Sequence, residues 1–288
     1  MRWDDLQRSS NIEDRRGGGG GFGLPIGRAG GIGGLGLVAV VLVSMFLGVD
    51  PSVVLDGITG SEPAPRTSSG APAERGSTED FVAAVLGDTE QTWHTLLDGQ
   101  GRRYAEPTLV MFSGATSSAC GMGEAAMGPF YCPNDRRIFI DLRFFEEMRQ
   151  RFKAPGDFAQ AYVIAHEVGH HVQNLLGIAG RARQAQQGAS RAEANRISVR
   201  VELQADCFAG LWAHHADRAR NILEAGDVEE ALNAASAIGD DRLQRQAQGR
   251  VVPDSFTHGT SEQRVRWFRR GLESGSLQAC DTFNASSL

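Results

Sequence analysis

Cysteine is scarce in this chain of 288 residues, and the four that occur, Cys120, Cys132, Cys207 and Cys280, include no C-x-x-C pair. Their spacing therefore excludes a zinc knuckle and a thioredoxin-like redox motif. The sequence also lacks a sustained run of basic residues, and its net charge is -6. We expect no nucleic-acid partner, because binding to a phosphate backbone requires a basic patch or stripe.

Long apolar runs are absent except at residues 29–49, which carry no charge and lie between Arg28 and Asp50. A helix of this length just spans a bilayer core of roughly 30 Å at about 1.5 Å per residue. A buried core helix or a cleaved signal sequence is the alternative, but a signal would begin nearer the start of the chain. Arginines precede the segment and acidic residues follow it. The sequence therefore predicts a single-pass protein of the cell (inner) membrane whose later part is extracytoplasmic, or periplasmic.

The segments on either side of this predicted transmembrane helix differ in composition. Residues 1–28 mix charges with a glycine run at 17–21, which predicts a flexible cytoplasmic tail. Residues 50–77 are rich in Pro, Gly and Ser and are typical of a linker. The remaining residues, 78–288, contain no internal repeat and suit one domain.

Periodicity and capping signals predict the secondary structure of that domain. Short β-rich runs predict strands at residues 108–112 and 137–141. Asp157 is the predicted N-cap of one helix, and Ser190 with Glu193 forms a capping box for another. The predicted helices cover residues 79–97, 157–176, 191–215, 227–238 and 261–273. A small sheet followed by helices predicts an α+β domain.

The pattern that points to chemistry is H-E-x-x-H at residues 166–170, inside the helix predicted from Asp157 onward. His166 and His170 are one turn apart on the same helix face, so both imidazoles can bind one Zn²⁺. Glu167 is rotated by about 100° from His166, and it can reach a water at the metal rather than the metal itself. The alternative is a pair of surface histidines on an ordinary helix, which the apolar surroundings disfavour.

A hydrolytic zinc site needs a third protein ligand and one open position. Glu202 and Asp206 lie four residues apart on the predicted helix that begins after Ser190. One carboxylate can bind zinc while the other orients a histidine ring, and we favour Glu202 as the ligand. A solvated acidic stripe is the alternative, but apolar residues surround the pair.

These motifs resemble the bacterial single-span "putative neutral zinc metallopeptidases". The resemblance covers nearly the whole chain, at residues 1–3, 10–16, the glycine run and apolar segment, 128–133, 166–173, 202–210 and 256–264. H-E-x-x-H with a later E-x-x-x-D is also similar to the gluzincin layout. This likeness implies a zincin-like metallopeptidase domain with Glu202 as third ligand and Asp206 supporting a ligand. It further implies an edge strand that holds substrate backbone, at residues 129–132 or 137–141.

The resemblance also concerns His258, which stands in a turn before the last predicted helix. Gluzincins often keep a histidine or tyrosine there to stabilise the transition-state oxyanion, which implies a catalytic role for His258. An ordinary histidine at a helix entry remains the alternative.

Together these features predict a membrane-anchored zinc endopeptidase that acts on peptides or proteins, with Glu167 as general base. A catalytically inactive zinc-binding scaffold at the membrane is an alternative, although such a protein has no use for Glu167. A non-peptide zinc hydrolase is another. In an oxidising compartment we expect disulfides between Cys120 and Cys132 and between Cys207 and Cys280, with buried free thiols as the alternative.

Overall fold

The computed structural model describes residues 1–16, 73–125 and 128–288. The strands are β1 (Ile12–Asp14), β2 (Thr108–Phe112), β3 (Ala115–Ser118), β4 (Gly121–Glu124), β5 (Phe130–Cys132) and β6 (Arg137–Asp141). The helices are α1 (Thr78–Asp98), α2 (Arg143–Gln150), α3 (Asp157–Leu175), α4 (Ile178–Gln186), α5 (Arg191–Arg220), α6 (Asp227–Ala237), α7 (Asp240–Gln248) and α8 (Ser261–Ser274).

The main sheet has four strands in the order β1-β2-β6-β5. β1, β2 and β6 run parallel, whereas β5 pairs antiparallel with β6 and forms one edge. β3 and β4 form a separate hairpin. The predicted α+β class is confirmed, and both predicted strands begin and end where expected, as β2 and β6.

Helices α3, α5 and α8 form the centre of the core. α3 is buried on nearly all sides, and its buried residues include Phe158, Tyr162 and Val168. α5 and α8 pack closely because a glycine on each faces backbone of the other. A Cβ at Gly210 would overlap the α8 backbone, and a Cβ at Gly271 would overlap the α5 backbone. This close contact fixes α8 against the helix that carries Glu202 and Asp206.

The capping box of Ser190 and Glu193 is present, and α5 continues five residues beyond the predicted end at 215. The predicted N-cap of α3 is wrong. Gly156 occupies that position, while Asp157 lies inside the helix and accepts a hydrogen bond from the Met1 nitrogen at 2.7 Å. Glu230 from α6 accepts the Phe158 N–H instead, so a distant carboxylate replaces the local cap.

The prediction of a flexible tail at residues 1–28 is wrong for residues 1–16, which are part of the domain. β1 extends the sheet beside β2, and the Arg8 guanidinium forms two hydrogen bonds of 2.8 Å with the Asp80 carboxylate on α1. Met1 and Leu6 are buried. Composition led to the wrong prediction for this segment, because the segment gains its stability from partners far along the chain. A domain limited to residues 78–288 is therefore incomplete.

This packing also corrects the predicted membrane topology. Residues 1–16 and the domain share one sheet, so they cannot lie on opposite sides of a membrane. The predicted transmembrane helix, residues 29–49, and most of the predicted linker, residues 50–77, lie outside the described residues. Across residues 1–16, 73–125 and 128–288, no helix is both long and apolar enough to cross a bilayer.

Both expected disulfides are present. Cys120, next to the β3–β4 hairpin turn, is bonded to Cys132 at the end of β5, and Cys207 of α5 is bonded to Cys280 near the C-terminus. The first bond links the edge strand to the β3–β4 hairpin. The second joins segments that are 73 residues apart.

We predict that Gly87→Ala destabilises the protein by about 1–3 kcal/mol, because a Cβ at this position in α1 would overlap the Gln7 carbonyl oxygen. Gly180→Ala is the matched control, since it changes an exposed helical glycine with open space around it. We expect the control to be neutral or to stabilise by up to about 1 kcal/mol. Denaturant unfolding of both variants measures the difference. Equal stability of the two would show that residues 1–16 do not pack on α1.

Candidate metal centre

α3 presents its H-E-x-x-H residues to a cleft of about 600 Å³. His166 and Glu167 are 6% and 7% exposed, and His170 is half-buried. The two imidazole rings are 4.8 Å apart between centroids and nearly perpendicular. Because α3 is packed on its other faces, the ring positions are determined by the core.

Glu202 of α5 faces both imidazoles across this cleft. Its Oε2 lies 3.2 Å from His166 Nε2, and its Oε1 lies 3.4 Å from His170 Nε2. Donors bound to one tetrahedral Zn²⁺ at about 2.1 Å would be about 3.4 Å apart, close to these separations. Two imidazoles and one carboxylate are also a common donor set for catalytic zinc. His166, His170 and Glu202 therefore fit a zinc ion.

The second nitrogen of each ring is held by an acceptor. His166 Nδ1 lies 2.9 Å from Asp206 Oδ1, and His170 Nδ1 lies 2.9 Å from Gln173 Oε1. A carboxylate or amide oxygen can only accept, so Nδ1 carries the proton in each neutral ring. The Nε2 lone pairs are then free to bind a metal. Asp206 is fully buried, and it contacts the ring of a candidate ligand rather than the metal position.

The charges of the site favour a bound cation. Burial opposes ionisation of Glu202, but His170 and His166 outweigh it and hold the pKa of Glu202 well below its usual value. Burial would also lower the pKa of His166, yet Asp206 and Glu202 raise that pKa to about 10. The two carboxylates thus stabilise positive charge where a metal would sit. Glu167 differs from Glu202, because burial raises its pKa. The shift is toward the operating pH, where a general base is most effective.

Arg264 is a site residue for which the sequence analysis predicted no role. From α8, its Nε and Nη2 donate to the two oxygens of Asp206 at 2.9 and 2.8 Å. Tyr162, one turn before His166, donates to Asp206 Oδ1 at 2.5 Å. Helical spacing could have placed Tyr162 near His166, whereas Arg264 lies 58 residues from Asp206 and has no such spacing. Both side chains are buried, so they fix the carboxylate that orients His166.

His258 lies at the cleft, in the turn before α8. Its Nδ1 is 3.2 Å from Asp240 Oδ1, while Asp240 Oδ2 accepts the backbone N–H groups of Thr257, His258 and Gly259 at 2.7, 2.6 and 3.1 Å. The hydrogen bond to Asp240 raises the pKa of His258 against the effect of burial. Half of the His258 side chain is exposed. The ring is therefore held by its Nδ1 edge beside the cleft.

The cleft wall is mainly apolar away from the candidate ligands. Its apolar lining includes Pro129, Phe130, Phe144, Phe152, Val163, Ile238 and Leu243. Residues of β5 form part of this wall, and among the described residues no strand pairs with the outer edge of β5. Of the two segments suggested for an edge strand, residues 129–132 contain the edge, whereas β6 lies inside the sheet. An extended chain in the cleft could therefore form backbone hydrogen bonds with the outer edge of β5.

The structure brings His166, Glu167, His170, Glu202 and Asp206 together, with His258 beside them in the same cleft. Sequence reasoning missed Tyr162, Gln173, Asp240 and Arg264, which hold these residues through hydrogen bonds from the same or other helices. Only Tyr162 and Gln173 lie close enough in sequence to the motif to be suggested by helical spacing.

Comparison with known proteins identifies the family of this chain. A family model described as "Putative neutral zinc metallopeptidase" matches residues 1–283. The uncharacterized protein YpfJ of Escherichia coli K12 is 52% identical over 296 aligned positions, covering 99% of this chain and 100% of YpfJ. The uncharacterized protein Rv2575 of Mycobacterium tuberculosis H37Rv is 40% identical over 263, covering 85% of this chain and 86% of Rv2575. No solved structure gives a significant match. By the extent of these matches, the chain belongs to the family described as "Putative neutral zinc metallopeptidase".

Proposed function

We propose that this protein is a zinc-dependent endopeptidase. The observation that carries the proposal is the Glu202 carboxylate facing the Nε2 atoms of His166 and His170 in a cleft that also contains Glu167. Bound Zn²⁺ supplies Lewis-acid polarisation and lowers the pKa of a water toward neutrality. His166, His170 and Glu202 would hold the ion.

The protein groups then move the protons. Glu167, with its raised pKa, accepts a proton from the attacking water and returns it to the amine that leaves as the peptide bond breaks. Asp206 keeps the His166 ring oriented throughout, supported by Arg264 and Tyr162. The water oxygen thus bonds to the carbonyl carbon of the cleaved peptide bond, and the amine leaves as a neutral group.

The cleft suggests the class of substrate. Aromatic and aliphatic side chains line it, and the outer edge of β5 offers backbone hydrogen-bonding groups. An extended peptide with large apolar side chains near the cleaved bond fits both features. We expect folded proteins to be poor substrates, because their backbone is already paired.

Cleavage of a peptide library tests this function. The full chain is used, since residues 1–16 belong to the domain, and it is loaded with one zinc per chain. We expect cleavage next to large apolar residues, its loss with a chelator and its return with added zinc. Stable zinc binding without cleavage of any peptide would favour the inactive scaffold instead.

We predict that His258→Gln lowers kcat by about 10²–10³-fold with unchanged zinc affinity. This is the effect typical of removing one donor to a transition-state oxyanion, the role proposed for His258. The ring is held beside the cleft by Asp240 and is not one of the three candidate ligands, so the metal site should remain intact. Unchanged kcat in this variant would assign His258 to the helix-entry turn alone.

The location proposed for the domain is extracytoplasmic, at the cell membrane. Residues 29–49 are a candidate membrane attachment, but not a single crossing, because residues 1–16 and the domain lie on the same side. Two disulfides support an oxidising compartment. Residues 1–16 would then lie outside as well, since β1 pairs with β2.

We predict that exposed positions in both segments react alike with a membrane-impermeant maleimide in intact spheroplasts. Asp5→Cys probes the N-terminal segment and Glu262→Cys probes α8, and both positions are exposed. If only Glu262→Cys were labelled, the two segments would lie on different sides of the membrane, which would contradict the pairing of β1 with β2. Labelling of neither before lysis, and of both after it, would place the domain in the cytoplasm.

A further inference from the structure

The edge strand β5 is attached to the zinc-binding helix by a hydrogen-bonded side-chain cluster. Tyr131, in the middle of β5, has its hydroxyl oxygen 3.0 Å from His171 Nδ1 and 3.0 Å from Asn174 Nδ2. His171 directly follows the candidate ligand His170, and Asn174 lies one turn further along α3. None of the three belongs to the group of side chains that could hold the metal.

The direction of each hydrogen bond follows from its partners. His171 Nε2 lies 2.5 Å from the Ala105 carbonyl oxygen, which can only accept, so Nε2 carries the proton of the neutral ring. Nδ1 then accepts from the Tyr131 hydroxyl, and the same oxygen accepts from the Asn174 amide. Every member of the cluster thus has a defined role as donor or acceptor.

The cluster is buried enough to hold its geometry. His171 is fully buried, and its ring makes edge contacts with Tyr131 and Tyr104 at centroid distances of 5.4 and 5.7 Å. Asn174 Nδ2 also approaches the Pro133 carbonyl oxygen at 3.4 Å, immediately after β5. Both the side chain of β5 and the backbone that follows it are therefore tied to α3.

We propose that Tyr131 is a positioning residue, which His171 and Asn174 hold so that the edge of β5 lies at a fixed distance and register from the zinc-binding residues. The inference rests on the proposed peptidase function, in which a peptide backbone pairs with β5 while its scissile bond reaches Glu167. Loss of the Tyr131 hydroxyl releases the strand without removing a metal ligand. Substrate binding then weakens while zinc binding does not.

The chain contains a matched control. Tyr104 contacts the same histidine ring, but its buried hydroxyl has no hydrogen-bond partner among the described residues. Tyr131→Phe and Tyr104→Phe therefore make the same chemical change at two rings that both contact His171. Only the first removes hydrogen bonds.

The test compares these variants in the full zinc-loaded chain with three readouts. Hydrogen exchange reports the protection of the β5 amides, chelator competition reports zinc affinity, and anisotropy of fluorescein-labelled β-casein, an unfolded protein, reports substrate binding in a Glu167→Gln background. We expect Tyr131→Phe to speed exchange in β5 and to weaken β-casein binding by about tenfold, the effect of losing about 1.4 kcal/mol. Zinc affinity should stay within about twofold, and in chains with Glu167 the loss should appear in KM more than in kcat. Tyr104→Phe should change none of these quantities.

Equal β5 exchange in the two variants, or equal β-casein affinity, would overturn the positioning role. A loss of zinc affinity in Tyr131→Phe would also overturn it, because the cluster would then support the metal rather than the strand. If the zinc-loaded Glu167→Gln chain binds no β-casein at all, the proposed peptidase function fails at this point. The exchange comparison then decides on its own whether Tyr131 holds β5.

Discussion

Replacing Glu167 by glutamine is expected to leave one zinc bound per chain and to slow peptide hydrolysis by about 10²–10⁴-fold. Glutamine keeps the size of the side chain but cannot accept the proton of the attacking water. Glu167 is 7% exposed, and burial raises its pKa, which makes it a stronger proton acceptor than an exposed carboxylate. The loss should appear in kcat, with little change in substrate affinity.

Glu229→Gln is the control for this change, because Glu229 is exposed on α6, outside the cleft. We expect its kinetics to equal those of the parent. Metal analysis must accompany the kinetics, so that a rate loss is compared at equal zinc content. A Glu167→Gln chain that cleaves as fast as the parent would show that the base lies elsewhere or that a contaminant causes the activity.

The second large effect is expected for zinc binding itself. Glu202→Ala removes the carboxylate that faces both Nε2 atoms, at 3.2 and 3.4 Å. Asp206→Ala instead removes the acceptor of His166 Nδ1. Changing such a partner of a ligand typically weakens metal binding by about 10–100-fold, and losing the ligand should cost more than that.

Competition with a chromophoric chelator measures both affinities under the same conditions. The ranking of the two variants is the informative result, since both changes also alter charge in a buried site. Full zinc affinity in Glu202→Ala with a large loss in Asp206→Ala would identify Asp206 as the ligand. Asp206→Ala has a further cost, because it leaves the Arg264 guanidinium buried without its partner.

Local signals predicted the parts of the site that lie on one helix. H-E-x-x-H fixes His166, Glu167 and His170 by helical geometry alone, and the capping box of Ser190 located the helix that carries Glu202. The spacing of Glu202 and Asp206 suggested one carboxylate as ligand and the other as partner of a histidine ring, and the resemblance to gluzincins implied Glu202 as the ligand. These predictions depend on spacings of three or four residues, which a sequence displays directly.

Long-range partners could not be predicted in this way. Arg264 reaches Asp206 from 58 residues away, and Glu230 caps α3 from 72 residues beyond Phe158. β1 is the clearest example, because its composition resembles a flexible tail and its order comes from pairing with β2. Such contacts have no period in the sequence, and their absence from the prediction also led to the wrong prediction of a flexible tail for residues 1–16.

The most direct test of zinc-dependent peptide hydrolysis is a zinc titration of the metal-free full chain. The cleavage rate of one library-derived peptide is followed at each step. We expect the rate to rise linearly to one zinc per chain and then to remain constant, because His166, His170 and Glu202 together bind one ion. A cleavage rate that does not depend on zinc, or a chain that holds one zinc and cleaves nothing, would contradict this expectation.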